Sequence, residues 1–167
     1  FVNHGDARVH RRGAVQGAVN GTGRAGIAFE PDCRLCPRLA RHLDVVRSAH
    51  PGYFCRPVAP FGSRRHRLLV VGLAPGLHGA NRTGRPFTGD HAGILLYRTL
   101  HATGFANLPE SVARHDRLRL VDCRITNAVK CLPPGNKPLP DEVLRCNRFL
   151  LEELKRLPSD AVVIALG

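Results

Sequence analysis

The sequence predicts an α/β domain built around a parallel sheet. Three observations carry that expectation. Leu68-Leu-Val-Val-Gly-Leu73 is a continuous apolar run, the pattern of a strand covered on both faces. Segments with helical spacing alternate with strand-like runs along the chain. The 167 residues are enough for one domain with its own core.

The elements follow in order. Residues 1–28, rich in Gly, Ala, Val and Arg without periodicity, read as a disordered basic tail. The domain then spans residues 29–167. Pro31 or Asp32 opens a helix that carries Cys33, Cys36, Leu39, Leu43 and Val46 on related faces, and Pro51-Gly52 breaks it. Residues 55–66 read as a loop rich in Pro and Arg. The first strand comes next, then a long loop from Ala74 to about Asp90. Ala92 to Thr103 forms a helix with Ile94, Leu95, Leu96 and Leu100 inward and Gly104 at its end. Leu118 to Asn127 holds the next strand, and Cys131 to Pro140 is a loop with four prolines. A helix from Pro140 through Leu157 turns Val143, Cys146, Leu150, Leu154 and Leu157 toward the core. Ala161-Val-Val-Ile-Ala-Leu-Gly167 reads as a buried strand running into a turn. A domain rarely ends there, so further C-terminal residues are expected beyond this sequence, and the opening on Phe1 rather than Met reads as a fragment or a processed product.

Charge and cysteine usage narrow the class. The formal charge is +12, from 25 Lys and Arg against 13 Asp and Glu, and only Lys130, Lys137 and Lys155 are lysines. Arginine binds phosphate bidentately, so the excess favours a nucleic-acid partner. An Arg-rich proteome accounts for the same excess without any partner. No apolar run reaches the roughly 18 residues of a membrane span. The N-terminus lacks the apolar core of a signal peptide. A cytoplasmic protein with reduced thiols and no membrane contact fits these features, and a monomer is the default expectation.

Four of the six cysteines form a pattern. Cys33 and Cys36 make a C-x2-C, and Cys131 and Cys146 follow far along the chain. Thiolates spaced in this way hold a metal ion or an iron–sulfur cluster. They bracket Gly72 to Asp90, a loop with five glycines in nineteen residues. Such backbone approaches a ligand closely and aims N–H groups at it. The loop has neither a G-K-[ST] nor a G-x-G-x-x-G signature, which argues against a phosphate loop or dinucleotide site. Phe87 suits stacking on a flat ring, or plugs the core. Asp90 suits orienting a water, or caps the next helix. Asn127 has an amide that matches a pyrimidine edge, or it stabilises a turn.

Taken together these pieces resemble the family 5 (B-type) uracil-DNA glycosylases. The resemblance rests on Cys33-Arg-Leu-Cys36, Gly72-Leu-Ala-Pro-Gly76, Gly79-Ala-Asn-Arg-Thr-Gly-Arg-Pro-Phe-Thr-Gly-Asp90, Thr126-Asn-Ala-Val-Lys-Cys131, Pro133-Pro-Gly-Asn-Lys-Pro138 and Cys146. It covers about residues 29–167. Family 4 enzymes share the cysteines but carry Glu where this chain has Leu73. The resemblance implies a three-layer α/β/α sandwich with a small central parallel sheet, truncated at the C-terminus. It implies a [4Fe-4S] cluster on Cys33, Cys36, Cys131 and Cys146, with Cys55 and Cys123 as structural thiols. It implies that Phe87 stacks on an extruded base, Asn127 binds its edge, and Asp90 is the main catalytic carboxylate. The backbone from Gly72 through Leu73, Ala74 and Pro75 to Gly76 lines the base pocket on this reading. Arg82, Arg85 and the Arg64-Arg-His-Arg67 run become candidate DNA contacts. The activity implied is hydrolytic excision of uracil, with hypoxanthine and other deaminated bases as further substrates. The family's His-Pro-Ser segment has no match here and is expected beyond Gly167. A four-cysteine zinc module that grips nucleic acid without catalysis is the alternative.

Overall fold

The structure, a computed structural model, describes residues 28–166, so all but the last residue of the predicted N-terminal tail lies outside the described residues. Among the described residues four strands form one sheet: β1 (Phe61–Gly62), β2 (Leu68–Gly72), β3 (Cys123–Asn127) and β4 (Val162–Leu166). Their order is β1-β3-β2-β4. As expected, β2 runs parallel to both β3 and β4. The antiparallel edge strand β1 falls where the sequence reads as loop, because two residues are too few to show a periodicity.

Four α-helices accompany the sheet: α1 (Pro37–Ala49), α2 (Ala80–Thr83), α3 (His91–Ala102) and α4 (Pro140–Leu154). α3 connects β2 to β3, and α4 connects β3 to β4 on the other side of β2. Parallel crossovers are right-handed, so two that run in opposite directions lay their helices on opposite faces. The packing agrees. Tyr97 and Leu100 of α3 pack with Leu68, Val70, Cys123 and Ile125. On the other face, Arg124 of β3 reaches Glu153 of α4 through paired hydrogen bonds. The result is the small α/β sandwich that the alternation predicted. α1 completes it by packing Leu39, Leu43 and Val46 against Cys146 and Phe149.

Several details differ from expectation. α1 begins at Pro37, so Cys33 precedes the helix and Cys36 caps it with an extended backbone (φ −105°, ψ 96°). A proline suits the first helical position, and it pushes the residue before it out of the helical region. In α3 the buried residues are Gly93, Tyr97 and Leu100, whereas Ile94 and Leu95 are exposed. In α4 the buried stripe is Glu142, Cys146, Phe149 and Glu153 rather than Val143, Leu150 and Leu154. The two acids turn inward because each meets an arginine. Arg38 holds both oxygens of Glu142 at 3.0 and 2.8 Å, and Arg124 holds Glu153. Removing one partner of such a desolvated pair costs about 3–5 kcal/mol.

β4 departs most from its reading. The sequence marks it as buried, yet every residue in it is exposed, Val162 by 57% and Val163 by 46%. Among the described residues it is an outer strand of the sheet. The α3 side of the sheet is an open apolar groove of about 1270 Å³, lined by Ile94, Leu95, Ile164 and Leu166 among others. Among the described residues no helix is long and apolar enough to cross a membrane.

Candidate active site

The parallel register sets the site. Gly72, the last residue of β2, pairs with Asn127, the last residue of β3. Sheets of this kind bind ligands beyond the carboxyl ends of their strands, where the connections diverge. The chain continues the contact past the strands. Ala128 donates to the Gly72 carbonyl at 2.8 Å and Val129 to the Leu73 carbonyl at 2.9 Å.

Gly72 is required by crowding. A β-carbon there would lie 2.5 Å from Asn127 Oδ1 and 2.8 Å from Phe87 Cζ. The Phe87 ring and the Asn127 amide therefore meet over a bare backbone. Asn127 is buried, but its amide makes no hydrogen bond to the described residues and stays available to a ligand. Its carbonyl accepts from Lys130 Nζ at 2.6 Å, and the same amine donates to Thr126 Oγ1 at 2.5 Å. Burial lowers the Lys130 pKa to about 8.

Phe87 sits in a left-handed conformation (φ 53°) that a bulky residue rarely adopts. Its neighbours hold it there. The Pro86 carbonyl accepts from buried Tyr97 at 2.8 Å. Thr88 Oγ1 meets Ser111 Oγ at 2.6 Å. The Phe87 carbonyl lies 1.7 Å from where a Gly93 β-carbon would be, so α3 presses against this turn at a position only glycine allows. Phe87 packs on the core with one part of its ring and also lines a cavity of about 480 Å³. The core contact is thus present, and the rest of the ring faces the cavity.

Asp90 lines the same cavity. It is the N-cap residue of α3, but its side chain makes no capping bond. The carboxylate instead lies over the Gly76–Gly79 backbone, and its Oδ1 would be 2.9 Å from a β-carbon on Gly76. Burial pushes its pKa up, with the Ala80 amide and Arg82 opposing. A partly desolvated carboxylate next to a cavity is poised for proton or charge chemistry. Leu73 is exposed by 46% and lines the neighbouring apolar groove rather than this cavity.

The predicted DNA contacts divide. Arg82 is exposed, and one of its guanidinium nitrogens lies over Gly89, close to Asp90. Arg85 is not a phosphate contact. It is 3% exposed and binds Asp116 at 2.6 Å, Ser111 at 2.9 Å and the Arg114 carbonyl at 2.8 Å. The Arg64–Arg67 run stands at the amino end of β2, a strand length of about 16 Å from Gly72. Within it Arg67 is committed to Asp122, and His66 is buried.

Cys33, Cys36, Cys131 and Cys146 line one small void, together with Leu39, Pro57 and Phe149. All four are free thiols. Burial raises the Cys131 pKa to about 12, and the other three thiols add to the rise. Burial also raises Cys36 and Cys146. Thiolates gathered so closely need a cationic centre to hold them ionised. Among the described residues no three donors are arranged around a point that one ion would occupy. Cys55 and Cys123 are fully buried and do not line the void.

Sequence reasoning missed the braces. Ser111, Asp116 and Tyr97 hold the loop through spatial contacts that no spacing reveals. His50, Tyr53 and His78 also cluster, with Tyr53 Oη 2.8 Å from His78 Nδ1 and the His50 ring stacked on Tyr53 at 4.5 Å.

Comparisons with known proteins converge on one group. The family described as the uracil DNA glycosylase superfamily matches residues 59–167. The chain is 49% identical over 140 residues to the type-5 uracil-DNA glycosylase of Thermus thermophilus, covering 81% of this chain and 64% of that protein. It is 50% identical over 143 residues to the type-5 enzyme of Mycobacterium tuberculosis, covering 81% and 53%. The type-4 uracil-DNA glycosylase of Thermotoga maritima is 37% identical over 136 residues, covering 81% and 56%. The chain thus spans between about half and two thirds of the length of these relatives.

The position of Asp90 predicts an effect on stability. A carboxyl whose pKa is higher folded than unfolded favours the folded state in acid, and that contribution is lost as pH rises through the folded pKa. Asp90→Asn removes the buried charge. Its urea midpoint should exceed that of the wild type near neutral pH, and the two should converge below the ordinary carboxylate range.

Proposed function

The chain belongs to the uracil DNA glycosylase superfamily, and from that premise we propose that it excises uracil from DNA by monofunctional hydrolysis of the N-glycosidic bond. One observation carries the reading. An aromatic ring and an uncommitted amide meet over Gly72 at the carboxyl ends of two parallel strands, with a partly desolvated carboxylate on the adjoining cavity. A base within a duplex is out of reach, so the nucleotide must be flipped out, at a cost of a few kcal/mol that is least for a mismatch. Phe87 then stacks on the base, and Asn127 pairs with its edge. The backbone from Gly72 to Gly76, including Leu73, Ala74 and Pro75, lines the pocket.

Cleavage places positive charge on the sugar and negative charge on the base. Asp90, as a carboxylate near the sugar, stabilises the first and positions the attacking water. The Asn127 amide donates to a base oxygen and stabilises the second, as donors in an oxyanion hole do. Among the described residues no lysine is placed for a Schiff base, since Lys130 is committed to Thr126 and Asn127. The apolar Leu73 enforces no strict choice, which extends the proposed range to hypoxanthine and other deaminated bases. Arg82 is the proposed phosphate contact among the residues near Asp90. We assign the protein to the cytoplasm as a monomer.

Cys33, Cys36, Cys131 and Cys146 are the proposed ligands of a [4Fe-4S] cluster. When bound, such a cluster supplies a rigid cross-link of four thiolates. The four ligands join the start of α1 to the segment after β3 and to α4. Lys130, next to Cys131, passes that rigidity to the Asn127 carbonyl.

In single-turnover assays of the full-length protein on a U·G duplex, Asp90→Ala should slow excision roughly 10²–10⁴-fold. Asn127→Ala should slow it roughly 10²–10³-fold. Wild-type rates in both variants would remove the proposed roles. Purified protein should contain four irons and four sulfides per chain and lose them on Cys146→Ser. Stoichiometric zinc without iron would refute the cluster.

A further inference from the structure

The buried Arg85 raises the question of what it serves. It sits beside an excursion that leaves α3 and returns to β3. The excursion is closed by an antiparallel bridge between Ala106 and Leu120. Its tip, Pro109 to Val112, forms one wall of the cavity that holds Phe87 and Asp90. Asp116 fixes the tip by accepting from the Val112, Ala113 and Leu118 amides at 2.9, 3.1 and 3.0 Å while pairing with Arg85. Arg85 also grips the carbonyl of Arg114 itself.

The Arg114 side chain is exposed, and its guanidinium carbon lies 4.8 Å from the centre of the Phe54 ring. A guanidinium on an aromatic face is held in place, yet its N–H donors remain free in its own plane. Arg56 approaches the same ring at 5.9 Å, but Asp32 neutralises it at 2.6 Å. Arg114 has no acidic partner among the described residues. Phe54 in turn packs on Gly84, in the loop that carries Phe87 and Asp90, and its amide donates to the Arg82 carbonyl at 3.0 Å. An unpaired cation is thus fixed at both its backbone and its side chain, two residues beyond the cavity wall that ends at Val112, on a ring whose own backbone bonds the Arg82 carbonyl. An anion is the complement of that arrangement.

We propose that Arg114 binds a backbone phosphate of the DNA strand that carries the extruded nucleotide, with Phe54 as its platform and Arg85 as the residue that positions it. This rests on the DNA-binding function proposed above. Phosphate contacts set register without reading bases, so the contact is independent of uracil. Each neutralised phosphate of B-DNA contributes about 0.9 to the slope of log affinity against log salt.

The test is a salt titration, from about 50 to 200 mM, of binding to a labelled U·G duplex and to the matching C·G duplex. Arg114→Gln should weaken both by the same factor, about tenfold, and lower the slope by about 0.9. Arg114→Lys should restore the slope, which separates loss of the charge from loss of the fold. Arg156→Gln, an exposed arginine just past the far end of α4, should leave the slope unchanged. A wild-type slope in Arg114→Gln overturns the inference, as does an equal fall in Arg156→Gln or a failure of Arg114→Lys to restore it. A wild-type protein that binds neither duplex overturns the DNA reading and this inference with it. A wild-type protein that binds both, with no change in Arg114→Gln, overturns this inference alone.

Discussion

The close approach at Gly72 is the constraint on which the rest depends. The β2–β3 register brings the ends of two strands level, and the missing side chain lets the Phe87 ring and the Asn127 amide lie against them. Each partner is then secured separately. Asn127 is held through its carbonyl by Lys130, so its amide stays free. Phe87 is held by its neighbours in a backbone conformation it would not choose. Strain of this kind persists only where the surroundings over-determine it. Here Tyr97, Ser111 and the bare Gly93 supply that determination.

Arginine explains much of the remaining architecture. Arg38, Arg85 and Arg124 are each committed to an acid that is itself largely buried. They join α1 to α4, the glycine loop to its wall, and β3 to α4. The positive excess therefore serves two ends. Part of it is internal cross-linking, and part, including Arg82 and Arg114, faces solvent. Exposed pairs such as Arg34 with Asp44 contribute little beside the internal ones.

The parallel strands, the long helices and the glycine loop were legible in the sequence because apolar runs and helical spacing record them directly. The four cysteines singled out in the sequence line one void. Where reading failed, a tertiary partner had overridden a local pattern. Glu142 and Glu153 face inward because arginines across the fold receive them. Ile94 and Leu95, which are apolar, line the groove beside β4 instead of the core. Arg85 looks like a surface cation in a polar loop, and its acid, Asp116, lies thirty-one residues away. No window of sequence shows that pairing. The edge strand β1 is two residues long and has no period to read.

The most direct measurement is the affinity ratio between a U·G and a C·G duplex for Gly72→Ala against the wild type. A methyl group on Gly72 must displace the Asn127 amide and the Phe87 ring together, while the phosphate contacts are untouched. The account predicts that the ratio collapses toward one and that the salt dependence stays at its wild-type value. A Gly72→Ala protein that keeps the wild-type ratio would contradict it.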